Sequence, residues 1–153
     1  MVNLKDNLRF QNVVSKEYYA DYKDAGKCLN MFIDELKEYG VRLRGPIFYG
    51  LHSYSDEGEV KMEMFTPVYT TKIVPPGMNF HTYYSVEHMA SARVTSNFEN
   101  NTMPTMEMVI RTIEAIGGRI ASPIYFIRED VLGEPYITIK IGYIKESEYS
   151  GII

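Results

Sequence analysis

Leu29, Phe32, Ile33, Leu36 and Tyr39 fall at i, i+3, i+4, i+7 and i+10, the spacing that lines one face of an amphipathic helix. Met106, Val109, Ile110, Ile113 and Ile116 repeat that spacing at a constant offset. Each helix then meets a glycine, Gly40 and Gly117, where a left-handed residue closes a helix C-terminus. Thr102 and Pro104 are expected at the start of the second helix, as a cap and a first-turn proline, and Asp24 near the start of the first. The same offset carries Arg42 to Arg119, Pro46 to Pro123 and Ile47 to Ile124, so "GVRLRGPIFYG" and "GGRIASPIYFI" are two copies of one joint.

Period-two alternation follows each joint. Val60, Met62 and Met64 alternate in the first half, and Ile137, Ile139 and Ile141 in the second, which predicts strands with one buried face. A short strand is expected after each proline. The turns between these strands and the alternating ones, "HSYSDEGEV" and "REDVLGEPY", both contain Gly-Glu, and the second is two residues shorter. Before the helices lie two more strand candidates, "LRFQNVV" and "YYSVEHMASARV". Pro75-Pro76-Gly77 breaks the chain between the halves. The expected fold is therefore α+β: one domain over 1–153 made of tandem pseudo-symmetric strand–helix–strand–strand repeats. The first half covers about 8–70, a linker about 71–80 and the second half about 81–146. The repeats are expected to form one antiparallel-rich sheet with two main helices on one face and a groove on the other, near the junction of the halves.

Composition narrows the function. A net charge of −4 and a pI near 5.4 leave no basic surplus to displace counterions from phosphate, so no nucleic-acid partner is expected. No apolar run is long enough for a signal peptide or a membrane span, and a single cysteine, Cys28, excludes an intrachain disulfide and suits a reducing compartment. The expected location is the cytoplasm. Thirteen tyrosines, seven phenylalanines and no tryptophan supply apolar bodies with polar tips, as suits either strands or ligand-contacting surfaces.

The order of these segments resembles the GyrI-like small-molecule-binding family, which includes effector-binding domains of bacterial multidrug-sensing regulators. "GVRLRGPIFYGLHSY" resembles the family segment that leaves the first helix and enters a strand after Gly-Pro. "EVKMEMFTPV" resembles the strand that follows. "MASARVTSNFENN" resembles the opening strand of the second half, with Ser96-Asn97-Phe98 in place of a Gly-Pro-Tyr turn. The resemblance implies a groove between the halves for bulky aromatic or cationic compounds, with aromatic walls and an acidic residue. It also implies an acid on the last strand of the second half, where this chain has Thr138 and the neighbouring Lys140. Some relatives resemble hydrolases that use a Tyr and a Glu.

Strand parity selects groove residues. If Met62 and Met64 pack under a helix, then Lys61, Glu63 and Phe65 face away from it; the same argument picks Tyr136, Thr138 and Lys140, and from the post-proline strands Phe48, His52 and Tyr125. The expected ligand-binding set is Phe48, Glu63, Phe65, Tyr125, Tyr136, Thr138 and Lys140, with Glu63 as the acid and Lys140 expected to pair with it. A solvated outer-face charge is the alternative for Glu63, and ordinary sheet packing for the aromatics. His81 and His88 lack metal-ligand spacing, and Cys28 beside Lys27 has no histidine placed as its base, so no metal, cofactor or catalytic residue is expected. The chain opens directly in the domain, with no room for a helix-turn-helix before Leu8. The expectation is a standalone non-enzymatic domain that senses or sequesters a small apolar, aromatic or cationic molecule. A protein-interaction module on the same fold is the alternative, and a small hydrolase using Glu63 a third reading.

Overall fold

The computed structural model describes residues 1–53, 58–69 and 73–145. Part of the first turn, part of the linker and the end of the second half therefore lie outside the described residues. The elements run β1 (Asn3–Ala20), a 3-10 turn (Tyr22–Asp24), α1 (Ala25–Glu38), β2 (Phe48–Leu51), β3 (Val60–Pro67), β4 (Asn79–Val94), α2 (Phe98–Ala115), β5 (Gly118–Val131) and β6 (Glu134–Lys145). The fold is α+β, and the ladders β1–β3, β2–β3, β4–β6 and β5–β6 are all antiparallel.

β1 and β4 are far longer than the apolar pattern requires, at 18 and 16 residues. The chain divides into two compact units, Arg9–Ser85 and Met1–Leu8 together with Val86 onward, and both long strands are shared between them. Each unit thus takes one strand segment from beyond the boundary that repeat arithmetic assigns. Asn12 (φ 56°) and His88 (φ 55°) are left-handed residues placed just before the ladders that start at Val13–Pro67 and Met89–Gly142. A single left-handed residue inside a strand is the mark of a bulge that bends it.

In the Arg9–Ser85 unit, α1 buries Ala25, Cys28, Phe32 and Leu36. This stripe is rotated from the expected one: Leu29 and Ile33 are half-buried, Tyr39 is exposed, and Cys28 is core, its thiol pushed up chiefly by burial and then by Asp24. Asp24 makes no side-chain cap bond; Asp21 caps the preceding 3-10 turn instead, accepting from the Lys23 amide at 3.0 Å. The helix ends as expected at Gly40 (φ 71°), with Gly40 N–H donating to Lys37 O and Val41 N–H to Leu36 O, the paired bonds of a Schellman motif. Lys16 on β1 reaches Glu35 on α1 at 2.8 Å. Under the helix, Met62 and Met64 of β3 are fully buried.

In the other unit, α2 begins one turn earlier than expected. Asn97 in the left-handed region precedes Phe98, and its carbonyl already accepts from Asn100 and Asn101 N–H. Thr102 and Pro104 are therefore inside the helix, and the Thr102 hydroxyl donates to Phe98 O rather than capping. Met106, Val109 and Ile113 form the buried stripe, and Gly117 (φ 78°) closes the helix. β5 starts at once, at Gly118, and accommodates Pro123 at a register shift between Ile120 and Ile124, because a proline cannot donate to a ladder. The short post-proline strand exists only in the first half. β5 and β6 join through Leu132 (φ 52°) and Gly133 (φ 83°), a two-residue turn of the twisted hairpin type. Among the described residues no helix is long and apolar enough to cross a membrane.

Candidate functional site

Three strands of the Arg9–Ser85 unit turn one face away from α1, and the registers order it in rows. Ser15, Phe65 and Phe48 form the first row, Glu17, Glu63 and Gly50 the second, and Tyr19 and Lys61 the third, with His52 donating its amide to Lys61 O beside them. Directly opposed residues of an antiparallel ladder share a face, so two carboxylates stand side by side here. Like charges at that spacing repel, and each has its own partner: Lys61 Nζ lies 3.3 Å from Glu17, and His52 Nε2 lies 3.5 Å from Glu63 Oε1. Gly50 has no side chain to fill the space beside Glu63.

Glu63 is held rather than loose, with its side chain 14% exposed. The Ser15 hydroxyl, fully buried, donates to Glu63 Oε2 at 2.8 Å and lies 3.0 Å from His81 Nε2. Both groups converge on the serine oxygen. A nucleophile relay needs the carboxylate on the far side of the imidazole and a reachable hydroxyl, and neither condition is met.

Rings fill the row next to these carboxylates. Phe48 and Phe65 stack with centroids 4.9 Å apart, Phe10 stacks on Phe48 at 5.2 Å, Tyr84 lies 4.7 Å from Phe65, and His81 lies 5.3 Å from Tyr84. Such contacts add about 0.5–1.5 kcal/mol each beyond area burial, so the cluster is a rigid wall. Phe48, Glu63 and Phe65 were expected from parity. Ser15, Glu17, His81 and Tyr84 were missed: the first two sit on a strand that parity was not applied to, and the last two belong by sequence to the opposite half.

The remaining expected residues form a second cluster, within the other unit. Tyr125, fully buried, faces Lys140 across β5–β6, with Ser91 on the other side of Lys140; Thr138 lies between Arg93 and Ile127, and Tyr136 opposite Glu129. Tyr136, Thr138 and Lys140 line a cavity of about 550 Å³, together with Asp6, Ser91, Arg93 and Glu129. The expected pairing of Lys140 with Glu63 is not made. Lys140 donates instead to Asp6 at 3.3 Å and to Asn7 O at 2.7 Å, because the N-terminal strand segment belongs to this unit. That segment also supplies the acid that the last strand lacks. Burial raises the Asp6 carboxyl, but the Ser91 hydroxyl, the Asn7 amide and the Lys140 ammonium outweigh it and hold the group below the usual carboxylate range.

Among the described residues, no three His, Cys, Asp or Glu side chains are grouped so as to hold a metal ion. The sequence profile of a domain of unknown function, DUF5085, matches residues 9–145. No curated protein sequence matches the chain. Among solved structures, the crystal structure of the EcmrR C-terminal domain is similar with a TM-score of 0.68 at 12% identity, covering 94% of this chain and 99% of that one. EcmrR in its cryo-EM complex with DNA gives a TM-score of 0.67 at 12% identity, covering 93% of this chain but 58% of that longer one. The likeness establishes that this chain shares its fold with the C-terminal domain of EcmrR.

Proposed function

We propose that this chain, which belongs to the DUF5085 family, is a non-enzymatic ligand-binding domain that takes a small aromatic or apolar cation at Glu63. The observation that carries this reading is one carboxylate, 14% exposed, in register between Glu17 and Gly50 and next to the buried, stacked rings of Phe48 and Phe65. An acid in a low-dielectric setting, here backed by buried rings, attracts a cation far more strongly than one in water. The fold shared with the EcmrR C-terminal domain, which the sequence resemblance links to small-molecule binding, supports a binding role of this kind. The protein-interaction reading loses its main support, since that reading rested on Lys140 neutralising Glu63. A hydrolase using Glu63 with a groove tyrosine is the third reading, which the site does not favour, since Glu63 is engaged by Ser15 at 2.8 Å and lies 3.5 Å from His52.

The test is a melting-temperature titration with a panel of hydrophobic cationic dyes. Saturable stabilisation is expected, and Glu63→Gln should weaken it about tenfold while leaving the unliganded fold intact. A panel that shifts nothing, or a Glu63→Gln variant that binds as tightly as the parent, refutes the proposal.

A further inference from the structure

The cavity of about 550 Å³ lies wholly in the unit built from Met1–Leu8 and Val86 onward, and its chemistry differs from that of the Glu63 face. In register, cationic residues of the second unit stand where the first has carboxylates or neutral side chains. Where the first unit has Glu17, Glu63 and Gly50 in register, the second has Arg93, Thr138 and Ile127. Where the first has Ser15, Phe65 and Phe48, the second has Ser91, Lys140 and Tyr125. Corresponding strand positions thus carry different charge in the two units, acidic at Glu17 and Glu63 and basic at Arg93 and Lys140.

Not all of that charge is free to meet a ligand. Asp6 and Lys140 neutralise one another, and Asp6 is further filled by Ser91 at 2.6 Å and by the Asn7 amide at 2.8 Å. Two charged side chains on the cavity wall remain, Arg93 and Glu129, beside the Met1 backbone ammonium at its exposed rim. The Arg93 guanidinium lies 4.7 Å over the Tyr136 ring, and among the described residues no carboxylate pairs with it. Stacking holds a guanidinium flat and leaves its in-plane N–H fork open for a carboxylate. Among the described residues, the Glu129 carboxylate accepts one long bond, 3.3 Å, from the Tyr136 hydroxyl. Arg93 is on β4 and Glu129 on β5, with β6 between them, so their backbones stand about 10 Å apart or more. One cation and one anion thus face the same cavity across the breadth of Tyr136.

We propose that this cavity is a second ligand site, specific for a small extended zwitterion whose carboxylate meets Arg93 and whose ammonium meets Glu129. A simple anion is opposed by Glu129 and a simple cation by Arg93; only a molecule carrying both charges, spaced by several atoms, satisfies both walls. The site is independent of Glu63 and is scored without any dye present.

The experiment is calorimetric titration of the full chain with β-alanine, γ-aminobutyrate and ε-aminohexanoate, alongside hexanoate and hexylamine as single-charge controls. Saturable binding is expected for the zwitterions, tightening as the chain lengthens, and none for the controls. Arg93→Gln and Glu129→Gln should each weaken binding about tenfold or more. Arg93→Lys, which keeps the charge and loses the fork, should fall in between. Lys27→Gln, on the exposed side of α1, should bind as the parent does, and circular dichroism shows whether each variant is folded. The proposal is overturned if no zwitterion gives saturable heat, if hexanoate or hexylamine binds as well as ε-aminohexanoate, or if folded Arg93→Gln and Glu129→Gln retain parental affinity.

Discussion

Asp6 accepts from Ser91, from the Asn7 amide and from Lys140, and these bonds are what depress its carboxyl despite partial burial. A carboxylate held below its ordinary value stabilises the fold above that value, and the stabilisation is lost as pH falls through the depressed one. Asp6→Asn keeps an acceptor for Ser91 but leaves Lys140, 17% exposed, without its counterion. The expected cost at neutral pH is about 1–2 kcal/mol. Denaturant melts as a function of pH should show a constant gap between parent and variant above 3.8, the ordinary aspartate value, and convergence as pH falls below it; a gap that persists undiminished far below 3.8 contradicts the assignment. Parity placed Lys140 on the correct face but could not supply Asp6, since a partner from the opposite end of the chain leaves no local signal.

At the scale of elements, two left-handed positions give opposite expectations. Gly40 closes α1 at φ 71° with both Schellman bonds formed, and nothing crowds the position where a Cβ would sit. Gly40→Ala should therefore cost about 1 kcal/mol through backbone strain alone, read as a lowered urea midpoint at unchanged slope. Leu132 occupies the first left-handed position of the β5–β6 turn, where its side chain is 100% exposed. An Asn-Gly pair is the preferred sequence for such a turn, so Leu132→Asn should raise stability by about 0.5–1 kcal/mol; a lowered melting temperature would count against that turn geometry. The glycine stop was legible from sequence, because a helix-period stripe ending at a glycine has a single physical meaning. The β5–β6 turn was legible too, within "REDVLGEPY", but its centre was not, because a bulky leucine takes the left-handed position ahead of the Gly-Glu pair.

At the scale of the whole molecule, repeat arithmetic and compactness disagree, and the disagreement can be tested. The second half alone, residues 79–153, lacks Met1–Leu8 and with it Asp6 and the buried Leu8; the first half alone, residues 1–78, lacks His81 and Tyr84. Each isolated half should show little native circular dichroism and no cooperative melt, while the intact chain melts cooperatively. A half that folds alone would show that the shared strands are dispensable. The sequence by itself determined the periodicities, hence two helices and their stops, alternating strands with Met62, Met64, Ile139 and Ile141 inside, and the face on which Phe48, Glu63 and Phe65 stand. These are local properties, fixed by 3.6- and two-residue repeats. Only the tertiary structure decided which partners those side chains meet. Ser15 and His81 reach Glu63, and Asp6 reaches Lys140, through strands distant in the chain. Pairing of that kind depends on register and on how a long strand is divided between two cores, neither of which leaves a mark in the order of residues.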